Sequence, residues 1–329
     1  HSLFHISIFL DAKLWNYFFN YFPFSALKHK KLLTFAGKLH INNFSCIMAN
    51  VIKIKKGLDI NLKGKASDVL LNGGKSDSYA IVPDHYNGIV PKVVAKVGEK
   101  VKAGSVLMID KNRPEIKFVS PVSGEVTAVN RGEKRKVLSV VVKPEAQVEY
   151  EDFGKKNVAS LKREEVKEAI LQAGMWPFIK QRPYDIVASP ADEPRDIFVS
   201  AFYSAPLAPN FDFIVKGQEA DFQAGLDALA KLTDGKVYVG IRKGSSVSVK
   251  GVETVEVEGP HPAANVGVQI NHIKPINKGE VVWTVNPADV IIIGRLFNKG
   301  VADFGRLVVI TGSETTERGY IKTIAGCTI

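Results

Sequence analysis

The chain is poor in cysteine, in long apolar runs and in the short signatures of catalysis, and each shortage excludes a class of function. Its 329 residues hold two cysteines, Cys46 and Cys327, near opposite ends. Without a Cys-x-x-Cys pair, this chain alone builds neither an iron–sulfur cluster nor a cysteine-based zinc site. No run of eighteen apolar residues is present. The longest uncharged aromatic run, Leu14 to Leu27, is broken by Asn16, Asn20 and Pro23 and is too short to span a bilayer. Membrane association is therefore expected to be peripheral or through a partner. No Gly-x-Gly-x-x-Gly follows a strand-like run, so a bound dinucleotide is not expected. No His-Glu-x-x-His, Ser/His/Asp set or carboxylate pair stands out, and no catalytic residue is assigned. His261 and His272 lack an acidic ligand at metal-site spacing, so hydrogen-bonding roles are expected for both and no metal site is assigned. Asn72 to Ser76 contains Gly-Lys-Ser, but the first glycine of a phosphate loop would fall on Val69 and no helical pattern follows. It reads as a turn.

What is present is ordinary in bulk and uneven in place. Hydrophobic residues make up 45% and charged residues 24%, as in a soluble globular protein, and the length suffices for two domains. The formal net charge is +10. Such an excess suits an anionic membrane surface, an acidic partner or nucleic acid, although a lysine-rich solvated surface is the plainer reading. No zinc-finger, RNP-type or Gly-x-x-Gly pattern supports nucleic acid, which is excluded as a partner. Residues 1–47 carry eleven of the thirty aromatics and no periodicity. Lacking the order of a signal peptide, they read as a non-native upstream segment, irregular or disordered, with the true start at Met48; an unusual targeting segment is the alternative.

From Val51 to about Glu145 short alternating runs are punctuated by Gly and Pro, which implies a small barrel or sandwich. Val97-Gly98-Glu99-Lys100-Val101-Lys102-Ala103-Gly104, followed by Ser120-Pro121-Val122-Ser123-Gly124, resembles the biotinyl/lipoyl-carrier family, a barrel-sandwich hybrid. That family's modified lysine would fall on Arg113, whose guanidinium cannot form the carrier amide. The resemblance therefore implies the carrier fold without carrier chemistry.

Ser160 to Gly174 reads as a helix with Ser160 as its cap and Leu161, Val166, Ala169, Ile170 and Ala173 inward. Met175 to Pro183 follows as a proline-bounded loop with two large aromatics, Trp176 and Phe178. From Tyr184 the pattern is α/β: strand-like runs at Tyr184–Ala188, Asp196–Ser200, Lys236–Ile241 and Val281–Val285, with a helix over Gln218–Thr233. Asn286-Pro287 opens a further helix that Gly300 ends, because Asn caps and Pro in the first turn needs no amide partner. Arg306 to Thr311 and Tyr320 to Ile324 are expected as strands. The expected fold class is thus α+β / α/β multidomain, with a barrel-sandwich hybrid over 48–150 and an α/β domain over 151–329.

Gly259-Pro260-His261-Pro262, Val282-Trp283, Asp289-Val290-Ile291 and Ile293-Gly294-Arg295-Leu296-Phe297 together are distinctive. With Lys55-Lys56-Gly57-Leu58-Asp59-Ile60 near the start, they resemble the A subunit of the bacterial sodium-translocating NADH:quinone reductases, over Met48 to Ile329. The resemblance implies an α/β domain like that of the complex I flavin-binding subunit, with a family chain that continues into further C-terminal domains. It implies a peripheral subunit on the cytoplasmic side of the bacterial inner membrane, in a complex that oxidises NADH, reduces ubiquinone or menaquinone and exports Na⁺. Partners implied are the other subunits, chiefly the membrane-embedded ones, the membrane surface and quinone. No cofactor is expected on this chain alone and no independent activity. Flavin-binding relatives use a Gly-rich loop for FMN and a cysteine set for a cluster; this chain has Ala173 to Lys180 in that place and no such set, so FMN and iron–sulfur are not expected. His261, Asn265, Trp176 and Phe178 are the candidate quinone or partner contacts, each with a structural alternative: satisfying backbone groups in a tight turn, or filling a buried corner. The alternative function is an Rnf-C-like electron-transfer subunit or a carrier-fold binding module without quinone.

Overall fold

The computed structural model describes residues 51–328; the expectation for 1–47 lies outside them. The described residues begin with two short strands, β1 (Val51–Lys53) and β2 (Leu70–Leu71). Seven more follow: β3 (Tyr79–Ile81), β4 (Pro91–Val93), β5 (Lys100–Val101), β6 (Val106–Asp110), β7 (Lys117–Val119), β8 (Gly124–Arg131) and β9 (Val137–Pro144). They form a four-stranded sheet, β3-β9-β8-β5, and a three-stranded one, β4-β6-β7. Alternation along β8 and β9 turns Val126, Val137, Val140 and Val142 inward against Val101, Leu107 and Val122. This is the barrel-sandwich hybrid implied by the carrier resemblance, and it agrees with the small barrel or sandwich expected from the glycine-punctuated runs.

The second half holds helix α1 (Arg163–Gln172), β10 (Ile179–Arg182), β11 (Ile186–Val187), β12 (Ile197–Ser200), α2 (Phe211–Val215) and α3 (Glu219–Lys231). Then come β13 (Val237–Arg242), β14 (Glu253–Glu258), α4 (Val266–Ile273), β15 (Val282–Val285), α5 (Pro287–Lys299), β16 (Gly305–Ile310) and β17 (Gly319–Ile324). A seven-stranded sheet runs β1-β14-β13-β12-β15-β10-β11. Its strands β1, β14, β13, β12 and β15 are parallel, and β10 is antiparallel to β15. From β12 the chain winds outward through β13 to β14, then returns to place β15 on the other side of β12. The order reverses between those two strands, and α/β folds bind ligands beside such a reversal, at the carboxyl ends of the strands.

Two short strands pair outside the half of the chain in which they lie. The sequence pattern puts β1 in the β-domain; it pairs parallel with β14, Val51 opposite Glu256, at the far edge of the α/β sheet. β2 pairs parallel with β17, and β16-β17-β2 form a separate three-stranded sheet. The expected Tyr184–Ala188 strand shrinks to Ile186–Val187, because Asp185 turns at φ 53° and Tyr184 points into solvent. Ser160 does not cap α1. It ends a 3₁₀ turn capped by Asn157, whose Oδ1 accepts from the Ala159 amide at 3.1 Å; Glu165 accepts from the Lys162 amide at 2.8 Å to start the α-helix.

The two domains share a core. Met108, Ile116, Phe118 and Val119 of the carrier-like hairpin pack with Trp176, Val187 and Ile170. A side chain on Gly174 would meet Val119 at 2.5 Å. At the hairpin tip, in the place of a carrier lysine, Arg113 reaches across. Its Nε donates to Asp110 at 2.8 Å, Nη2 to the Gly88 carbonyl at 2.9 Å and Nη1 to the Val187 carbonyl at 3.2 Å. The position that swings in carriers is here bolted down. A lysine's compact ammonium lacks the planar fork whose three nitrogens each reach one of these acceptors. Arg113→Lys is expected to cost about 2 kcal/mol, lowering Tm by about 4–8 °C in a thermal melt.

Candidate functional site

A crevice of about 620 Å³, of ligand-pocket size, opens between the carboxyl ends of β12 and β15. Ser200 ends β12 and accepts from Gln269 Nε2 at 2.9 Å; Gln269, buried on α4, also donates to the Ala263 carbonyl at 3.1 Å. Gly240 beneath it has no room for a Cβ, which would sit 2.2 Å from Gln269 Oε1. These contacts fix α4 on the sheet and bring its start, Asn265-Val266-Gly267, to the rim. On the opposite side Asn286 caps α5, its Oδ1 accepting from the Ala288 amide at 3.0 Å and from the Tyr203 hydroxyl at 3.3 Å. Burial, with the Asp289 carboxylate nearby, pushes the Tyr203 phenol up to about 12, so it remains a donor.

Lys180 and Arg182 stand two apart on β10, hence on one face, and both line the crevice. Lys180 lies over the Tyr86 ring at 5.3 Å and, among the described residues, has neither a hydrogen bond nor an ion pair. Burial lowers its pKa, partly offset by Asp185 and Asp289. Arg182 Nε is 3.3 Å from Asp185 Oδ1 but, among the described residues, forms no hydrogen bond although buried. Asp289 pairs with Arg306 at 2.8 Å; burial raises its pKa against the pull of Arg306 and Lys180. Phe178, Val266, Val285 and Pro287 supply an apolar wall.

The four candidate residues separate. Phe178 and Asn265 line this crevice; Phe178 is half-buried, its ring edge-on to Phe304 at 6.1 Å. Trp176 is corrected to a core residue. It is fully buried, edge-on to Trp283 at 5.4 Å, and its indole N–H donates to the Ala188 carbonyl at 2.8 Å, so it presents nothing to a ligand. His261 is absent from the crevice lining and joins two segments instead. Its amide donates to Asp59 Oδ1 at 2.8 Å, its carbonyl accepts from the Leu58 amide at 2.9 Å, and Nδ1 shares a hydrogen bond with Ser204 Oγ at 3.0 Å. Gly57 and Gly259 make that approach possible. A Cβ on either would lie 2.2 Å from a carbonyl oxygen, of His261 and Ile54 respectively. His272 Nδ1 bonds the Val268 carbonyl at 2.8 Å within α4.

The Lys55–Ile60 and Gly259–Pro262 stretches are thus one platform. Leu58, Ile60 and Leu62 leave it 69%, 55% and 55% exposed. Ile60 and Leu62 border a second cleft of about 700 Å³, whose other wall is the Ala205–Asn210 loop.

These two halves match two family models in the same order: the NqrA N-terminal barrel-sandwich hybrid domain over residues 52–145, and the NqrA second alpha/beta domain over residues 161–302. The chain belongs to the NqrA family. It is 36% identical over 284 residues to the A subunit of the Na(+)-translocating NADH-quinone reductase of Neisseria meningitidis serogroup A, covering 85% of this chain and 64% of that protein. The corresponding protein of Hahella chejuensis is 37% identical with the same coverages. That of Photorhabdus laumondii is 35% identical over 281 residues, 84% of this chain and 63% of its own. The chain therefore spans less than two thirds of these NqrA relatives. Among its described residues no helix is long and apolar enough to cross a membrane.

Lys180, Arg182, Ser200, Tyr203 and Ser204 do not stand out in the sequence. The alternation of two cations across Gln181, at the end of the proline-bounded Met175–Pro183 stretch, is the signal that could have found the first two.

Proposed function

We propose that the chain acts as the A subunit of a Na⁺-translocating NADH:quinone reductase, docked peripherally on the membrane-embedded subunits at the cytoplasmic face and helping to shape the quinone end. The observation that carries this reading is the platform. Two of the stretches that carry the NqrA resemblance bind each other, and on and just beyond them Leu58, Ile60 and Leu62 stand exposed. Apolar side chains held outward on a fixed backbone favour a protein partner. NADH, flavin and cluster chemistry belong on this reading to other subunits, since Trp176 and Pro177 fill the corner where relatives carry a flavin loop. The basic excess suits a surface near anionic lipid.

The test is a pull-down of the detergent-solubilised remaining subunits by the chain, with its absorbance spectrum recorded. A colourless protein that associates, and loses at least tenfold in association when Leu58, Ile60 and Leu62 are all changed to Ser, is the expected result. Failure of the unaltered chain to associate, or a flavin spectrum, would sink the reading.

A further inference from the structure

An unpaired, half-buried ammonium is costly to fold around. Removing it from water loses hydration that the Tyr86 ring and the charges of Asp185 and Asp289, neither bonded to it, replace only in part. Such a cost persists where a group awaits a partner from outside. Lys180 is in that state, and the groups beside it on the crevice share its need. Arg182 keeps a buried Nε without a hydrogen-bond acceptor, and its Nη1 lies 4.0 Å from where a side chain on Gly267 would begin. At the start of α4 the Asn265 side chain makes no cap hydrogen bond, unlike Asn286 on α5. The first amides of α4, Val266 and Gly267, therefore have no acceptor among the described residues. Gly267 bears no side chain to shield them.

The carboxylates facing the crevice do not cancel this demand. Asp289 is taken by Arg306, and Asp185 balances one of the two remaining cations. One positive charge and several directed N–H groups are left over. A tetrahedral dianion accepts from ammonium, guanidinium and backbone amides at once, and a helix start favours it further. We propose that this crevice binds the phosphate group of a small soluble phosphate ester, held by Lys180, Arg182 and the Val266 and Gly267 amides, with its organic part against Phe178 and Val285. The site is separate from the Leu58–Leu62 row, so it stands or falls independently of the docking reading.

The test is calorimetric titration and thermal shift of the full chain with inorganic phosphate and pyrophosphate, at constant ionic strength. Saturable binding that raises Tm with concentration is expected. Lys180→Met should weaken it at least tenfold, while without phosphate its Tm equals or exceeds that of the unaltered protein, because the unpaired charge is gone. Lys180→Arg should restore binding in part, and Arg182→Met should weaken it independently. Phosphate affinity unchanged in Lys180→Met, or equal stabilisation by chloride, would overturn the proposal. So would displacement of phosphate by a water-soluble short-chain ubiquinone. Vesicles of phosphatidylcholine with phosphatidic acid distinguish a lipid headgroup: binding to them that inorganic phosphate fails to compete overturns the soluble-ligand assignment.

Discussion

Replacing Gly294 by alanine lowers Tm by about 6–12 °C, a loss of about 3 kcal/mol or more. Helix propensity predicts the opposite, since alanine gains about 1 kcal/mol over glycine inside a helix. Packing decides the sign. The axes of α3 and α5 approach so closely that a Cβ on Gly294 would lie 1.7 Å from the Asp221 carbonyl oxygen, and one on Gly225 2.1 Å from that of Val290. Backbone meets backbone at both points, so no flexible side chain can yield. Beside this crossing the buried Arg295 donates to Gln218 Oε1 and to the carbonyls of Gly305 and Asp303, which fixes the far end of α5 to the following strand. Gly279 is the control: it has positive φ but nothing within 4 Å of an added Cβ, so Gly279→Ala costs only backbone strain, about 1–2 kcal/mol. A thermal melt of the two variants side by side separates strain from clash. Equal losses would refute the close-approach argument.

Asp196→Asn costs about 3 kcal/mol at neutral pH and much less in acid. Asp196 is fully buried at the start of β12 and accepts from Arg195 Nε at 2.7 Å, Lys274 Nζ at 2.8 Å and the Lys236 amide at 3.1 Å. Its loss leaves Arg195, itself mostly buried, without one of its carboxylate partners. Burial alone would raise the Asp196 pKa; the hydrogen bonds from Lys274, Lys236 and Arg195 outweigh it and hold the carboxyl below its ordinary value. A depressed carboxylate stabilises the fold above its unfolded pKa, near about 4, and that contribution disappears as pH falls through the lower folded value. The gap in Tm between the unaltered protein and Asp196→Asn therefore closes on going from about pH 7 to about pH 3. A gap that stays constant would show that Asp196 works through shape alone. Because this carboxylate sits at the opposite end of β12 from the crevice, phosphate binding is expected to survive the substitution in the folded fraction.

Local chemistry in this sequence is written in single residues and is legible there. Asn286 caps α5, Pro287 opens it and Gly300, left-handed at φ 75°, closes it, each for a reason that needs no tertiary contact. The carrier-like hairpin is equally legible, because its glycines and prolines mark turns at fixed spacing. Strand partners are not. Val51–Lys53 alternates as an edge strand should, yet nothing in three residues says that its neighbour is Glu253–Glu258 rather than the β-domain that follows. Trp176 illustrates a different limit: an aromatic in a proline-bounded loop reads the same whether it faces a partner or the core. Lys180 and Arg182 fall in a stretch that reads as a loop; only its pairing with β15 and the reversal of strand order turn them into one wall of a cavity.

The pairing of β1 with β14 also sets an order of events. As the chain is synthesised, Val51–Lys53 emerges before its sheet partner among the described residues, which is made long afterwards, once the whole carrier-like domain and much of the α/β sheet have been extruded. Local elements can form as they appear, but the edge of this sheet stays open until the oldest segment returns to the newest. Until then β14 presents unpaired amides and carbonyls to any passing strand. Among the described residues this early segment is thus a late-fitted part of the sheet, and removing Val51–Lys53 would take away the strand that pairs with β14 there.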